Sequence, residues 1–189
     1  SMTFSVCGYM NRGIHEGESG IAIYYYDISK NIVEEVAFIP STDSNRVIES
    51  ELSELAFYNK EQGVLYTMVD GTLLKVAFEK NERTVLIEGL QKGQYVASAD
   101  GRLLAYQKTN NGKTETEIWD FAEDSKRIVA VKSGEVVVPL GFVSSDFVYG
   151  ISRPEDVGVD VLGSKVQGMN RLEIRNINDK VLKTYQKPG

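Results

Sequence analysis

The chain has one histidine, His15, and it stands just ahead of Glu16 and Glu18 in the run RGIHEGESG at residues 12–20. An imidazole beside two carboxylates could hold a metal ion or exchange a proton with a substrate. Either task needs a second group held in place, and the surrounding glycines leave this loop too free to hold one. A solvated loop is therefore expected. A second acidic group, Glu155, Asp156 and Asp160, occupies residues 153–167, RPEDVGVDVLGSKVQ. Three carboxylates could bind a cation, but their spacing does not match the D-x-D-x-D-G pattern of a calcium loop. Solvated carboxylates are expected here too. The strings nearest to G-x-S-x-G are GESGI and GISRP, and neither fits. With one histidine a Ser-His-Asp triad has little support. A glycosidase could work with paired carboxylates alone, but 27 acidic residues make chance pairs common. No Walker loop or G-x-G-x-x-G is present. These residues give no catalytic assignment, no metal and no cofactor, and the expectation is a chain that is not an enzyme.

Placing such groups falls to strands. Of the 189 residues 42% are apolar, enough for a real core, and ten Tyr and seven Phe beside four Pro suit an all-β domain. The net charge of −6 and the lack of a basic stripe argue against nucleic acid as a partner. Cys7 is the single cysteine, so no intrachain disulfide forms and no Cys-rich metal site exists. Its apolar neighbours point to a buried, inert thiol. No run approaches the ~20 apolar residues of a membrane helix. Ser1 before Met2 is expected to be a cloning remnant, with the domain beginning at residue 3, and this suggests a piece cut from a longer protein.

The stretch 94–135 reads as four short strands, a to d, at 95–98, 102–108, 117–121 and 127–131. Turns at Asp100-Gly101, at Asn110-Asn111-Gly112 and at 122–125 separate them. Strand b, LLAYQ with Tyr106, has counterparts in SVCGYM, VLYTMV and FVYGIS with Tyr9, Tyr66 and Tyr149, and successive tyrosines stand 40 to 57 residues apart. Strand c with its turn recurs as YDISKN, VAFEKN, WDFAED and RNINDK, with Ile28, Phe78, Phe121 and Ile177 in third place. Strand d recurs as NIVEEVAFIP, ERTVLIEGL and KVLKTYQKPG. Strand a appears three times, in LSELAFYN, QYVASAD and PLGFVSSD. The chain thus divides into units at about 3–40, 50–90, 94–135 and 138–187 within one domain, 3–189, and the first unit starts at strand b. Four-stranded antiparallel units of this length are propeller blades. The competing reading is an antiparallel sandwich with evenly spaced strands.

The segment ASADGRLLAYQ followed by EIWDF resembles the WD40-like repeat of TolB-type β-propellers, through Ser98, Asp100, Gly101, Trp119 and Asp120. Ala99 stands where that family usually has proline. The match is good over 94–135 and weaker in the other units. The resemblance implies an all-β, propeller-like partial or open ring of about four blades, where family members usually have six or more. It implies an extracytoplasmic home in a bacterial cell envelope. It also implies a non-catalytic module that binds a protein, peptide or glycan. The alternative is an accessory or catalytic propeller of a hydrolase, and a cytosolic scaffold is a third reading. A first unit without strand a leaves an unpaired edge, which favours a homodimer.

The a–b and c–d turns are short throughout. The long connections are b–c at 12–20, d–a at 40–54 and b–c at 153–168. In a meander, b–c and d–a connections leave by the same end, so one end collects the long loops. That end is expected to bind the partner, through His15, Glu16, Glu18, Arg46, Arg153, Glu155, Asp156 and Asp160. Residues 43–55 carry apolar spacing that suits a helical turn.

Overall fold

In a computed structural model, residues 2–40, 55–69, 71–77, 82–159 and 165–186 are described. The proposed helical turn at 43–55 lies outside them, apart from Leu55. The chain divides into two compact units, residues 1–89 and 90–189.

The first unit holds two antiparallel sheets. Sheet one is β1 (Met2–Tyr9), β2 (Ser19–Asp27) and β3 (Ile32–Pro40), in that order. Sheet two is β4 (Ala56–Asn59), β5 (Val64–Val69), β6 (Thr72–Ala77) and β7 (Glu82–Ile87), also in chain order. The two pack face to face, with Ile21 and Ile23 of β2 against Leu65 of β5 and Val76 of β6. Tyr25 meets Tyr58 edge-on at 5.4 Å between ring centroids. Because side chains alternate across a strand, these residues form one apolar stripe per sheet.

The second unit repeats the plan. Sheet three is β8 (Tyr95–Ala97), β9 (Leu103–Asn110), β10 (Lys113–Asp120) and β11 (Ser125–Ile128). Sheet four is β12 (Val136–Val143), β13 (Asp146–Ser152), β16 (Arg171–Arg175) and β17 (Val181–Gln186). Between β13 and β16 lie a 3-10 turn (Pro154–Asp156) and a small hairpin of β14 (Val157–Val159) and β15 (Lys165–Gln167). Ala105, Ile118 and Val129 of sheet three and its exit pack on Val137, Phe147, Tyr149 and Ile151 of sheet four. Phe147 and Tyr149 lie two apart on one face and stack at 5.0 Å.

Local chemistry explains the hairpins. Asn111 and Gly112 both take positive φ, 51° and 77°, as a two-residue turn with the twist of its strands requires. At the a–b turn of sheet three only Gly101 takes positive φ, 71°. Asp100 accepts hydrogen bonds from Ser98 Oγ (2.6 Å) and Arg102 N (3.1 Å), and Leu103 N donates to Ser98 Oγ (2.9 Å). Each c–d turn that is described opens on an Asx residue. Asp27 accepts from Ser29 N, Asp120 from Ala122 N and Glu123 N, and Asn176 from Asn178 N and Lys180 N. Side-chain oxygens that mimic a backbone acceptor close such turns. Asp120 also takes two bonds from Arg102, Nε at 2.9 Å and Nη2 at 2.8 Å, which ties the turn to the start of strand b.

All four sheets are meanders with blade topology, and sheet one begins at strand b, so the fold is all-β and β-propeller-like. Four details differ from the sequence reading. Cys7, expected to be buried, is half-buried at the border of the first unit's core. Strand d of sheet three ends at Ile128, because Val129 turns inward to bury its side chain, bonding Thr116 O as it leaves. The residues after Ser152 build the β14–β15 hairpin instead of a plain loop. Tyr9 is not equivalent to the other strand-b tyrosines. Tyr66 and Tyr149 are fully buried and Tyr106 nearly so, whereas Tyr9 ends β1 opposite Ser19 and is 59% exposed. Counting back three residues from the turn-opening Asp27, as Glu117 precedes Asp120, gives Tyr24. Its partner across the ladder is Phe4, and the two rings stack at 5.4 Å.

Candidate functional site

In sheets three and four the strand-b tyrosine faces a glutamate on strand c: Tyr106 opposite Glu117 and Tyr149 opposite Glu173. Tyr106 donates its hydroxyl proton to Glu117, which also accepts from Lys108 Nζ at 2.8 Å. Tyr149 donates to Glu173 at 2.6 Å and accepts from Arg175 Nε at 2.9 Å. Burial pushes both phenols well above their ordinary pKa, and the facing carboxylates push them further.

Sheet four extends this into a network beside its long b–c insertion. The strand RLEIR alternates, so Arg171, Glu173 and Arg175 project from one face. Arg171 forks onto Glu135 at 2.5 and 2.7 Å and gives its Nε to Glu173 at 2.7 Å. Glu135 precedes β12, in the d–a connection from sheet three, and its side chain is 2% exposed. The Arg171 fork holds its pKa down to about 2, against the cost of burial. At Glu173 burial opposes the charge, but bonds from Tyr149 and Arg171 prevail and its pKa lies below the ordinary value. Arg175 bonds Asp179 at 3.0 Å and the carbonyl of Ala130 at 3.0 Å. The b–c insertion and the short connection that precedes β12 meet at one end of sheet four, where Arg153 lies 3.6 Å from Glu135; the long connection at 40–54 lies outside the described residues, apart from Pro40.

Of the residues expected to bind a partner, Arg153, Glu155 and Asp156 lie here. Arg153 sits over Glu135 (3.6 Å) and toward Glu155 (4.0 Å), with its guanidinium half exposed. Glu155 points to solvent. Asp156 is a fastener. It accepts from Arg153 N (2.7 Å) at one foot of the insertion and from Asn170 Nδ2 (3.0 Å) at the other, and its carbonyl accepts from Gly168 N (2.7 Å). Asp160 and Arg46 lie outside the described residues.

His15, Glu16 and Glu18 belong to the first unit. Backbone bonds between Met10 N and Glu18 O (2.8 Å) and between Gly17 N and Met10 O (2.9 Å) close their loop. His15 is docked rather than solvated. Its ring stacks on Phe38 at 3.9 Å and its Nε2 meets Glu35 at 2.8 Å. Burial, then a hydrogen bond to Glu35, raise the Tyr24 pKa, so Glu35 serves both rings. Glu16 and Glu18 are exposed. No group of three or more His, Cys, Asp or Glu residues is placed to hold a metal among the described residues. The sequence reading missed Glu35, Glu135, Arg171, Glu173 and Arg175. The alternating charges of RLEIR were the one signal that could have drawn attention to the last three.

No protein-family model matches the chain, and no curated protein matches its sequence. Among solved structures it is similar to dipeptidyl peptidase 4 of Porphyromonas gingivalis, at 9% identity over 94% of this chain and 37% of that one, with a TM-score of 0.28. It is similar to the tricorn protease at 13% identity, over 92% of this chain and 16% of that one, with a TM-score of 0.37. It is also similar to TolB of Acinetobacter baumannii at 13% identity, over 93% of this chain and 66% of that one, with a TM-score of 0.27. The chain thus spans 37% and 16% of the two peptidases and 66% of this TolB.

Proposed function

We propose that this chain is a non-catalytic β-propeller-type binding module of the bacterial cell envelope. Its partner is a protein, peptide or glycan, met at the end of the sheets where the long connections emerge. The observation that carries the reading is the insertion between β13 and β16. It builds a hairpin of its own, Asp156 fastens both its feet, and it offers Arg153 and Glu155 to solvent. The ionisable groups beneath it are bonded to one another. A general acid or base needs a pKa near the working pH. Glu135 is held at about 2 and the Tyr149 phenol is raised, which suits a scaffold better than a proton-transfer site.

The test places a photo-crosslinking side chain at position 155 and, as a control, at Glu123 in the c–d turn of sheet three. Cell-envelope extract, peptide arrays and glycan arrays serve as bait. Labelling from 155 and not from 123, with no turnover of peptidase or glycosidase substrates, is the expected result. Equal labelling from both positions overturns the reading, and so does turnover that is lost on Arg153→Ala.

A further inference from the structure

Sheet two breaks the charge pattern of sheets three and four. Where Tyr106 and Tyr149 face glutamates, Tyr66 faces Lys75. The two glutamates are answered by Lys108 and Arg171. Among the described residues no carboxylate lies within ion-pair distance of Lys75. Its ammonium lies 5.8 Å from the centroid of the Tyr66 ring and is half-buried.

This ammonium borders a hollow of about 440 Å³, within the ~300–1,000 Å³ range of small-ligand sites. Strand register explains the hollow. Val64, Ala77 and Glu82 form one row across β5, β6 and β7, and Tyr66, Lys75 and Thr84 form the next. Ala77 is the small member of its row and leaves a dip over Val64. Gln62, in the a–b turn, walls one side. The lining offers an ammonium, a hydroxyl and an amide as donors, an apolar floor, and a carboxylate at Glu82 on the diagonal from Lys75. Diagonal neighbours in such a ladder stand ~7 Å apart.

We propose that this hollow binds a short zwitterionic peptide. The peptide's carboxylate pairs with Lys75, with Thr84 and Gln62 as further donors, and its ammonium turns toward Glu82. The ligand supplies for Lys75 a carboxylate partner, as Glu117 does for Lys108 and Glu173 for Arg171. The site is independent of the loop end and stands whether or not that end binds a partner.

Alanyl-alanine titrated into ¹⁵N-labelled protein tests the proposal by amide chemical shifts. Shifts confined to Val64, Lys75, Ala77 and Thr84 are expected. The C-terminal amide of the dipeptide, which lacks the carboxylate, binds at least about tenfold more weakly, as the loss of a charge-assisted contact implies. The N-acetyl form is weakened to a lesser extent. Lys75→Met removes the response. Ala77→Leu fills the hollow and does the same while Lys75 keeps its charge, so the result does not hang on one variant. No localised shifts from the dipeptide overturn the proposal. So does equal binding of the amide, or unchanged binding by both variants with their amide spectra otherwise intact.

Discussion

Replacing Arg171 with methionine tests whether the charges of sheet four hold the second unit together. The substitution keeps most of the stem and removes the guanidinium that contacts Glu135 twice and Glu173 once. Among the described residues, Glu135 would then lie buried with Arg153, at 3.6 Å, as its remaining ion-pair partner and Lys132 N as a weak donor. Removing one partner of a buried pair costs ~3–5 kcal/mol. Arg153 offsets part of this, so ~3 kcal/mol is expected. Urea denaturation at pH 7 reads the loss as a fall in midpoint at constant slope. The pH dependence separates this cause from lost packing. In the native chain Glu135 has a depressed pKa of about 2. Its contribution is full above the unfolded carboxylate value of ~4.3 and fades as pH falls from there toward 2. In the variant the unpaired, buried carboxylate has a raised pKa, so its penalty shrinks as pH falls from 7 toward 5. The stability gap between the two proteins should close on acidification. Adding Glu135→Gln to Arg171→Met should recover much of the loss. A cost below about 1 kcal/mol, which is typical of a surface pair, or a gap independent of pH, would refute the reasoning.

Four further outcomes follow from the same structure. Asp120→Ala removes the acceptor for Arg102 and for two turn amides, and should cost ~2–3 kcal/mol by urea denaturation. Phe147→Ala opens a cavity between sheets three and four and should cost ~3–5 kcal/mol with β11 and β12 amides exchanging faster; equal exchange in both proteins would contradict the packing. Glu35→Gln leaves the Phe38 stack but weakens the His15 contact, so hydrogen exchange at Met10 and Gly17 should quicken while the melting temperature barely moves. β1 is an edge strand, with Val6 and Met2 about half exposed. Sedimentation at high concentration should therefore show dimers that Val6→Lys abolishes, and monomer alone would exclude this edge as a contact.

Turn chemistry and strand alternation made the blades readable from sequence. Asn111-Gly112 fixed one hairpin, and the apolar residue recurring in third place marked the c–d turns, because these are short-range requirements; the Asx acceptor just ahead of that residue at Asp27, Asp120 and Asn176 emerges only from the structure. The tyrosine pattern worked where packing enforces it, at Tyr66, Tyr106 and Tyr149. It misled at Tyr9, where the same letter falls at the loop end of β1, and the residue that meets the strand-c side chain is the half-buried Phe4. The candidate site was less legible. Glu135 finds Arg171 across 36 residues, and His15 finds Glu35 and Phe38 across about 20. Such meetings depend on which strands pair, which residue type and local spacing do not encode. Asp156 stands out in the sequence for its charge, yet its carboxylate works as an acceptor that joins Arg153 N at one end of an insertion to the Asn170 side chain at the other.

That fastening has a practical corollary. Both feet of the insertion converge on one side chain and its carbonyl, so its two ends are tied to each other where β13 ends and β16 begins. Foreign segments could be spliced between the feet without disturbing β13 or β16, provided Asp156, Gly168 and Asn170 are retained. The chain would then serve as a display scaffold, and its tolerance to such grafts would measure how completely three residues separate inserted sequence from the sheet that carries it.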